Sequence, residues 1–342
     1  MRHHSRCAVT FALVLSAALV LAQAATRPHY GGTLRVEVEA SIETADPPQT
    51  GPGMADLSGA FSVTRWEGGR VAVYSANDDA PGGRPFLDSV EIQMGRPLRE
   101  QAIDLELKKA DIVELGPSEA RRGQVSRRML ASSPVRLLVL VFSERISDAR
   151  IREALALAVD RSAIHNVLLQ RQGEIAGALL PQWISGCAFL FPTAADLGRA
   201  RGLAAALPQQ SRALTLSFDA PGFRPIAERI ALNARDAGLA VSVSQRNAGA
   251  DVRLVEERIA DAQPSRALAN LAAALGLPQP ARGETPEELY SAERALLEGS
   301  RAIPLFHLPD VYGVNPRVKG GPGITPLGQW RFSDLWLDTV RP

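Results

Sequence analysis

An α/β chain with mixed sheets flanked by helices is predicted by three features of the sequence. Strand-like and helix-like segments alternate along most of its length. One stretch, residues 214–243, reads as a complete strand, helix, strand unit with parallel strands. The 342 residues leave room for about two domains of roughly 100–200 residues each. With 46% hydrophobic and 22% charged residues the composition is that of a globular protein with a real core. Thirty-eight basic residues against 37 acidic ones leave a net charge of +1. No global field is present to attract nucleic acid or an acidic membrane.

The chain opens on Arg2, His3, His4 and Arg6, then an apolar run from Cys7 to Ala22 and a small-residue site at Ala22, Gln23 and Ala24. This is the pattern of a cleavable secretory signal over residues 1–24. The run is shorter than the roughly 20 apolar residues that span a bilayer, and no later stretch is longer, so export as a soluble protein is expected. Cys7 lies ahead of the run and cannot become a lipid-modified first residue. Only Cys187 follows the signal, so no intramolecular disulfide is expected and no cysteine-rich metal site.

After the signal, Leu34, Val36 and Val38 alternate with polar residues as a half-buried strand does. A Pro/Gly-rich stretch from Ala45 to Gly59 is an irregular connection. Phe61 to Val63 and Val71 to Tyr74 flank Gly68 and Gly69 and predict a hairpin. A turn-rich loop over 80–85 leads to a strand at 86–92, a helix at 99–109 and a short buried strand at 110–115. Val135 to Phe142 is a strongly apolar strand, after which Ser147 is placed to cap a helix carrying Ile151, Leu155 and Ala158 on one face; Asp160 restarts the helical run.

In the strand, helix, strand unit, Leu214, Leu216 and Phe218 alternate, Pro225 opens a helix with Ile226, Ile230 and Ala234 on one face, and Gly238 ends it before Leu239, Val241 and Val243. Thr285, Pro286 and Glu288 form a capping box for a further helix closing near Gly299, ahead of a strand at 303–306.

The sequence is poor in catalytic signatures. It has no G-x-S-x-G elbow, P-loop or G-x-G-x-x-G. His29, His165 and His307 are widely separated and have no histidine or cysteine neighbour at ligand spacing, so neither a zinc site nor another resident cofactor is expected. The carboxylate pairs Asp78/Asp79 and Glu256/Glu257 read as solvated surface, not as acid/base pairs. Trp66, Trp183 and His307 lie near predicted strand ends and loops and are the candidate ligand contacts. Ordinary packing is the competing account of each.

These segments together resemble the extracellular solute-binding proteins of family 5, the dipeptide-, oligopeptide- and nickel-type receptors of ABC importers. Gly31 to Val36 is similar to that family's opening strand, and Gly59 to Gly69 to its glycine-x-phenylalanine hairpin. Asn77 to Asp88 is similar to its loop ending in leucine-aspartate. Ile151 to Arg161 resembles its R-x-A-L-x-x-A-I-D-R helix almost letter for letter, and Ile303 to Leu305 with Asp334 to Leu337 its last crossover and tail. The chain departs from the pattern in three places. Only Ala45 to Leu57 stands where members carry a further subdomain, the family's asparagine after the apolar strand is replaced near Phe142 and Ser143, and the usual aromatic-aspartate-proline segment is absent around Asp251 to Pro264.

The resemblance implies a two-lobe periplasmic binding protein fold of class II type with a hinge of two strand crossovers. Lobe I is expected over residues 27–135 plus 306–342 and lobe II over 136–305. It also implies a monomeric, non-enzymatic periplasmic receptor that captures a small solute, foremost a short peptide, and delivers it to an inner-membrane ABC permease. The alternative is a degenerate member acting as a non-transport envelope interaction or sensory protein.

Overall fold

The computed structural model describes residues 28–41, 59–123, 128–187, 190–283, 285–321 and 324–338. The expected signal segment and the connection over 45–57 lie outside the described residues.

The first half begins with β1 (Thr33–Glu37), the hairpin β2 (Phe61–Glu67) and β3 (Val71–Ala76), and β4 (Ser89–Gln93). α1 (Leu98–Glu106), β5 (Ile112–Glu114) and α2 (Pro117–Gly123) complete it. Strand β1 lies parallel between β4 and β5, whereas β2, β3 and β4 form an antiparallel meander. β4 starts at Ser89, later than the apolar Phe86 and Leu87 suggest, because Asp88 is taken up by the backbone N–H of Gly32 and by Arg84.

The second half holds β6 (Arg128–Phe142), α3 (Ala149–Ala158), α4 (Arg161–Val167), β7 (Glu174–Ile175), α5 (Gln182–Ser185) and α6 (Leu197–Ala205). β8 (Ala213–Phe218), α7 (Arg224–Asp236) and β9 (Ala240–Gln245) follow, with both strands parallel as the alternation predicts. Helix α7 buries Ile226, Ala227, Ile230, Ala231 and Ala234 on one stripe. Gly238 then turns the chain with φ of +90°, a region open to glycine at no steric cost. β10 (Val252–Arg258), α8 (Pro264–Ala274), α9 (Pro286–Leu297), β11 (Ala302–Val314), β12 (Val318–Gly320) and β13 (Leu335–Leu337) end the chain. The capping box at Thr285 and Glu288 is formed in both directions.

One mixed sheet unites the halves in the order β2-β3-β4-β1-β5-β11-β6-β10-β8-β9, with β7 also paired to β11. Strands β6 and β11 pair with each other along nearly their full length. Both extend well beyond the apolar runs visible in the sequence. Their added residues, among them Ser132, Ser133, Pro134, Pro309 and Asp310, are polar or unable to donate to a ladder, and only pairing with the other long strand makes them strand.

Buried apolar side chains group into bodies that divide at these two strands. A cluster with Leu34, Ile92, Tyr312 and Trp330 is drawn from residues 34–112 and 312–337, and a smaller one with Leu105, Val113 and Val311 from 102–120 and 311. In the second half, a cluster with Leu138, Phe218, Ile230 and Phe306 covers one sheet face, and one with Leu137, Leu179, Leu271 and Leu297 covers the other. Such separate cores are what two lobes require.

The R-x-A-L-like helix serves this architecture. Asp148, not the predicted Ser147, caps α3 by accepting the Arg150 N–H, while Ser147 offers its carbonyl to Arg152. Arg152 also donates to the carbonyls of Ile146 and Gly299. Asp160 caps α4 by accepting the Ala163 N–H at 2.9 Å. Buried Arg161 fans out to the carbonyls of Pro304, Ala156 and Thr193, and burial pulls its guanidinium down to about 10.

Candidate site at the strand crossing

Midway along the β6/β11 pair, Pro134 stands opposite Pro309, between register shifts on either side. Neither residue has an N–H to give the ladder. Side chains make the missing connections. The Trp183 indole donates to the Pro134 carbonyl at 2.8 Å, Arg136 Nη2 donates to the Pro309 carbonyl at 2.8 Å, and the Asp310 N–H donates to Ser132 Oγ at 2.9 Å.

Arg136 is the centre of a charged group at this level. Its Nη1 lies 3.2 Å from both Glu256 carboxylate oxygens, and its Nε lies 3.2 Å from Asp310 Oδ1. Asp310 is also gripped by Arg258 at 2.7 Å, which donates as well to the Leu327 carbonyl at 2.8 Å. Strand alternation puts Arg136, Leu138 and their partners Arg258 and Glu256 on one sheet face, that of the Leu138 cluster. Tyr312 and Glu114 are direct partners across β11 and β5, on the face of the Leu34 and Trp330 cluster. Both halves of the molecule thus send side chains to one face of the crossing.

Burial in the low-dielectric gap sets the electrostatics here. Burial pushes the Glu114 carboxyl up to about 7, against the pull of the Glu39 N–H, which donates to it at 2.6 Å, and of Arg136. Glu39 is exposed as a residue, but partial burial of its carboxyl and the nearby Glu256 raise it. Burial opposes the charge on Arg136, but Glu256, Asp310 and Glu114 outweigh it and hold the guanidinium above its usual range. Burial lifts the Tyr312 phenol well above the ordinary tyrosine value, with Asp310 and Glu114 adding to the shift.

The loop carrying Gly328 closes over this group. A Cβ on Gly328 would stand 2.3 Å from Asp310 Oδ2, and the residue has φ of +79°. Glycine is required there on both counts.

The three candidate residues from the sequence fall in different places. Trp66 lies on β2, near the sheet edge, and is half-buried against the Leu34 cluster. His307 is buried in β11 opposite Leu137. Its Nε2 is 3.0 Å from the Leu179 carbonyl and its Nδ1 is 3.6 Å from Glu174. Trp183, 37% exposed on α5, reaches the crossing through Pro134. His307 and Trp183 therefore meet the crossing from the side of the Leu137 cluster, and Trp66 stands apart.

The charged group itself is absent from that trio. Glu256 is not the solvated residue its Glu256/Glu257 pairing suggests, because it is held by Arg136, and burial raises the Glu257 carboxyl. The available signal was a charged triplet, Glu256 to Arg258, ending a strand that carries Val252, Leu254 and Val255, with Arg136 and Asp310 likewise placed among strand residues. Among the described residues, no group of three or more His, Cys, Asp or Glu is arranged to hold a metal ion. Among them too, no helix is long and apolar enough to cross a membrane.

Comparison with known proteins places this geometry. The ABC transporter substrate binding protein CtaP from Listeria monocytogenes superposes with a TM-score of 0.67 at 17% identity, over 82% of this chain and 67% of that one. The Staphylococcus aureus protein NikA, solved in complex with Ni(L-His)2, gives 0.67 at 14% identity over 81% and 68%. The oligopeptide-binding protein AppA of Bacillus subtilis is 24% identical over 124 residues, and this chain spans only 23% of its length in that match. The structure of AppA with a nonapeptide superposes with a TM-score of 0.65, over 82% of this chain and 66% of that one. The shared fold is that of two-lobe binding proteins, and family and fold are those of substrate-binding proteins, not of enzymes. The family profile covers residues 9–280, and the chain belongs to the bacterial extracellular solute-binding proteins, family 5 Middle.

Proposed function

We propose that this chain is the solute-capturing receptor of an ABC importer, taking a short peptide between its lobes and presenting the closed form to an inner-membrane permease. On this reading residues 1–24 direct export and are cleaved, and the mature protein is a soluble periplasmic monomer. Lobe I comprises residues 27–135 and 306–342, and lobe II residues 136–305. The division of the apolar clusters at β6 and β11 supports those boundaries.

One observation carries the proposal: charged side chains of both halves converge on a single face of the strand crossing. A solute shifts an open-to-closed equilibrium only by its differential affinity for the two forms, and groups from both lobes supply that difference when they meet around it. We place the solute on this charged face. Trp183 then braces the hinge from the other side, His307 fixes the loop at Leu179, and Trp66 packs the sheet edge.

Small-angle scattering and thermal denaturation with a panel of di- to pentapeptides test the reading. A bound peptide is expected to reduce the radius of gyration and to raise Tm by mass action. Unchanged curves with every peptide overturn it. The second reading, a non-transport envelope protein, is favoured by one fact: the chain spans about two thirds of the solved binding proteins it superposes on. A cleft that is unresponsive to peptides, in a protein captured with envelope partners, is its signature.

A further inference from the structure

The charged group at the crossing is not balanced. Four carboxylates, Glu39, Glu114, Glu256 and Asp310, surround two guanidiniums, Arg136 and Arg258, and the ion pairs of both guanidiniums are made with Glu256 and Asp310. Among the described residues, Glu114 is left with the Glu39 N–H as acceptor contact and no cation at pairing distance. Glu114 is half-buried and Glu39 exposed, so this side of the group is open to solvent.

A second feature points the same way. The Tyr312 hydroxyl is buried without a hydrogen-bond partner, on a residue only 2% exposed. Tyr312 is the direct cross-strand partner of Glu114, on the same face, and the charges that act on it are Asp310, Glu114, Arg258 and Arg136. A buried polar atom without a partner is costly and calls for an explanation. Beside an uncompensated carboxylate, the group that satisfies both is a hydrogen-bonding cation.

We infer that Glu114 and Glu39, with Tyr312 behind them, form a subsite for a positively charged nitrogen group of the solute, an ammonium or a guanidinium. This inference rests on the placing of the solute at the crossing. The cation would complete the charge balance by pairing with Glu114 and Glu39 and would bring donors to the carboxylates, while the phenol oxygen of Tyr312 accepts from the same group. Because Glu114 is held near 7, with Glu39, Arg136 and Asp310 facing it and Tyr312 beside it across the strand pair, the subsite works best once Glu114 is ionised. Affinity for a guanidinium, which keeps its charge throughout, should rise by about tenfold between pH 6 and pH 8.

Isothermal titration calorimetry on the mature protein tests this with four probes: trialanine, N-acetyl-trialanine amide, N-acetyl-Ala-Arg-Ala amide, and agmatine, a small dication with one ammonium and one guanidinium. The variants are Glu114→Gln, Glu39→Gln and Tyr312→Phe, with the exposed Glu228→Gln as charge control. A tenfold preference for trialanine over the blocked peptide assigns the cation to a peptide amino terminus. The same preference for the arginine peptide assigns it to a side chain.

Either result supports the subsite if Glu114→Gln or Glu39→Gln erases the preference and the wild type shows the pH dependence. If the blocked neutral peptide binds as tightly as the charged ones, or if the preference survives both carboxylate changes, the subsite is refuted and peptide capture stands. If agmatine alone binds, and binds in the stated pH-dependent way, the subsite stands and peptide capture falls. If no probe binds, both fall.

Discussion

Pro134 and Pro309 face each other across β6 and β11, and the carbonyl of each is satisfied by a side chain, that of Trp183 and that of Arg136. The ladder joining the two halves is therefore weakest where they meet, although the strands run on unbroken. Hydrogen exchange should show this. Amides of residues 131–133 and 310–311 are expected to exchange at least tenfold faster than those of 137–141, which lie in the buried stretch of the same strand. Equal protection along β6 would show that the crossing does not bend.

Arg136 ties the crossing together, so its removal strands one carboxylate and weakens the hold on another. Arg136→Met keeps much of the apolar stem but leaves Glu256 without its ion-pair partner and Asp310 with Arg258 alone. A loss of about 2–4 kcal/mol in urea denaturation is expected. The double variant Arg136→Met with Glu256→Gln should recover part of it. No recovery would mean that the pair is not coupled.

Trp183→Phe probes the brace alone. The ring remains, and the indole donor to the Pro134 carbonyl is lost. The expected cost is about 1 kcal/mol, with solute affinity unchanged if the solute occupies the charged face. A tenfold fall in affinity at constant stability would instead make Trp183 a direct contact.

Glu37 gives the first half a pH dependence of its own. The carboxyl, at the end of β1, is buried, and burial, followed by the nearby Asp104, pushes it up to about 7 in spite of Arg96. A carboxyl with a raised folded-state value holds its proton more tightly when folded. Its contribution is therefore full below about 4.5, the value of the free side chain, and is lost as pH climbs through 7. Glu37→Gln should match the wild type near pH 4.5 and exceed it by about 1–3 kcal/mol at pH 8. Thermal denaturation across that range is the measurement, and parallel curves for the two proteins would contradict the assignment.

Arg161 is expected to be intolerant even of lysine. Its guanidinium reaches the carbonyls of Pro304, Ala156 and Thr193, and a single ammonium lacks the span to serve all three. Arg161→Lys should cost about 2 kcal/mol, read as a lower urea midpoint at constant m-value.

The fold was largely legible from residues 28 onward, and the reasons are local. Alternation at Leu34 to Val38, the Thr285 capping box, and the strand, helix and glycine turn over 214–243 each reflect short-range physics that tertiary packing reinforces. The full lengths of β6 and β11 were not legible. Their middle residues are polar or proline, and they are strand only because each finds the other about 170 positions away, as in the Pro134 to Pro309 pair.

The charged group at the crossing was harder to read for a related reason. The structure gathers Arg136, Glu256, Arg258, Asp310 and Glu114 from strands distant in sequence, and no one of these has a signature by itself. Conversely, the most recognisable motif, the helix from Ile151 to Arg161, binds backbone carbonyls and helix ends. Its letters encode architecture, not specificity.

The apolar body around Trp330 takes Phe332, Leu335 and Leu337 from the last stretch of the described chain, whereas the bodies with Leu138 and Leu179 are complete by residue 308. As the chain is synthesised, the later-encoded portion can consolidate as soon as it appears. The portion that begins the chain must wait, half-finished, for the tail to arrive. Any truncation at the carboxyl terminus that reaches Trp330 should therefore leave an aggregation-prone leading segment attached to a sound trailing one.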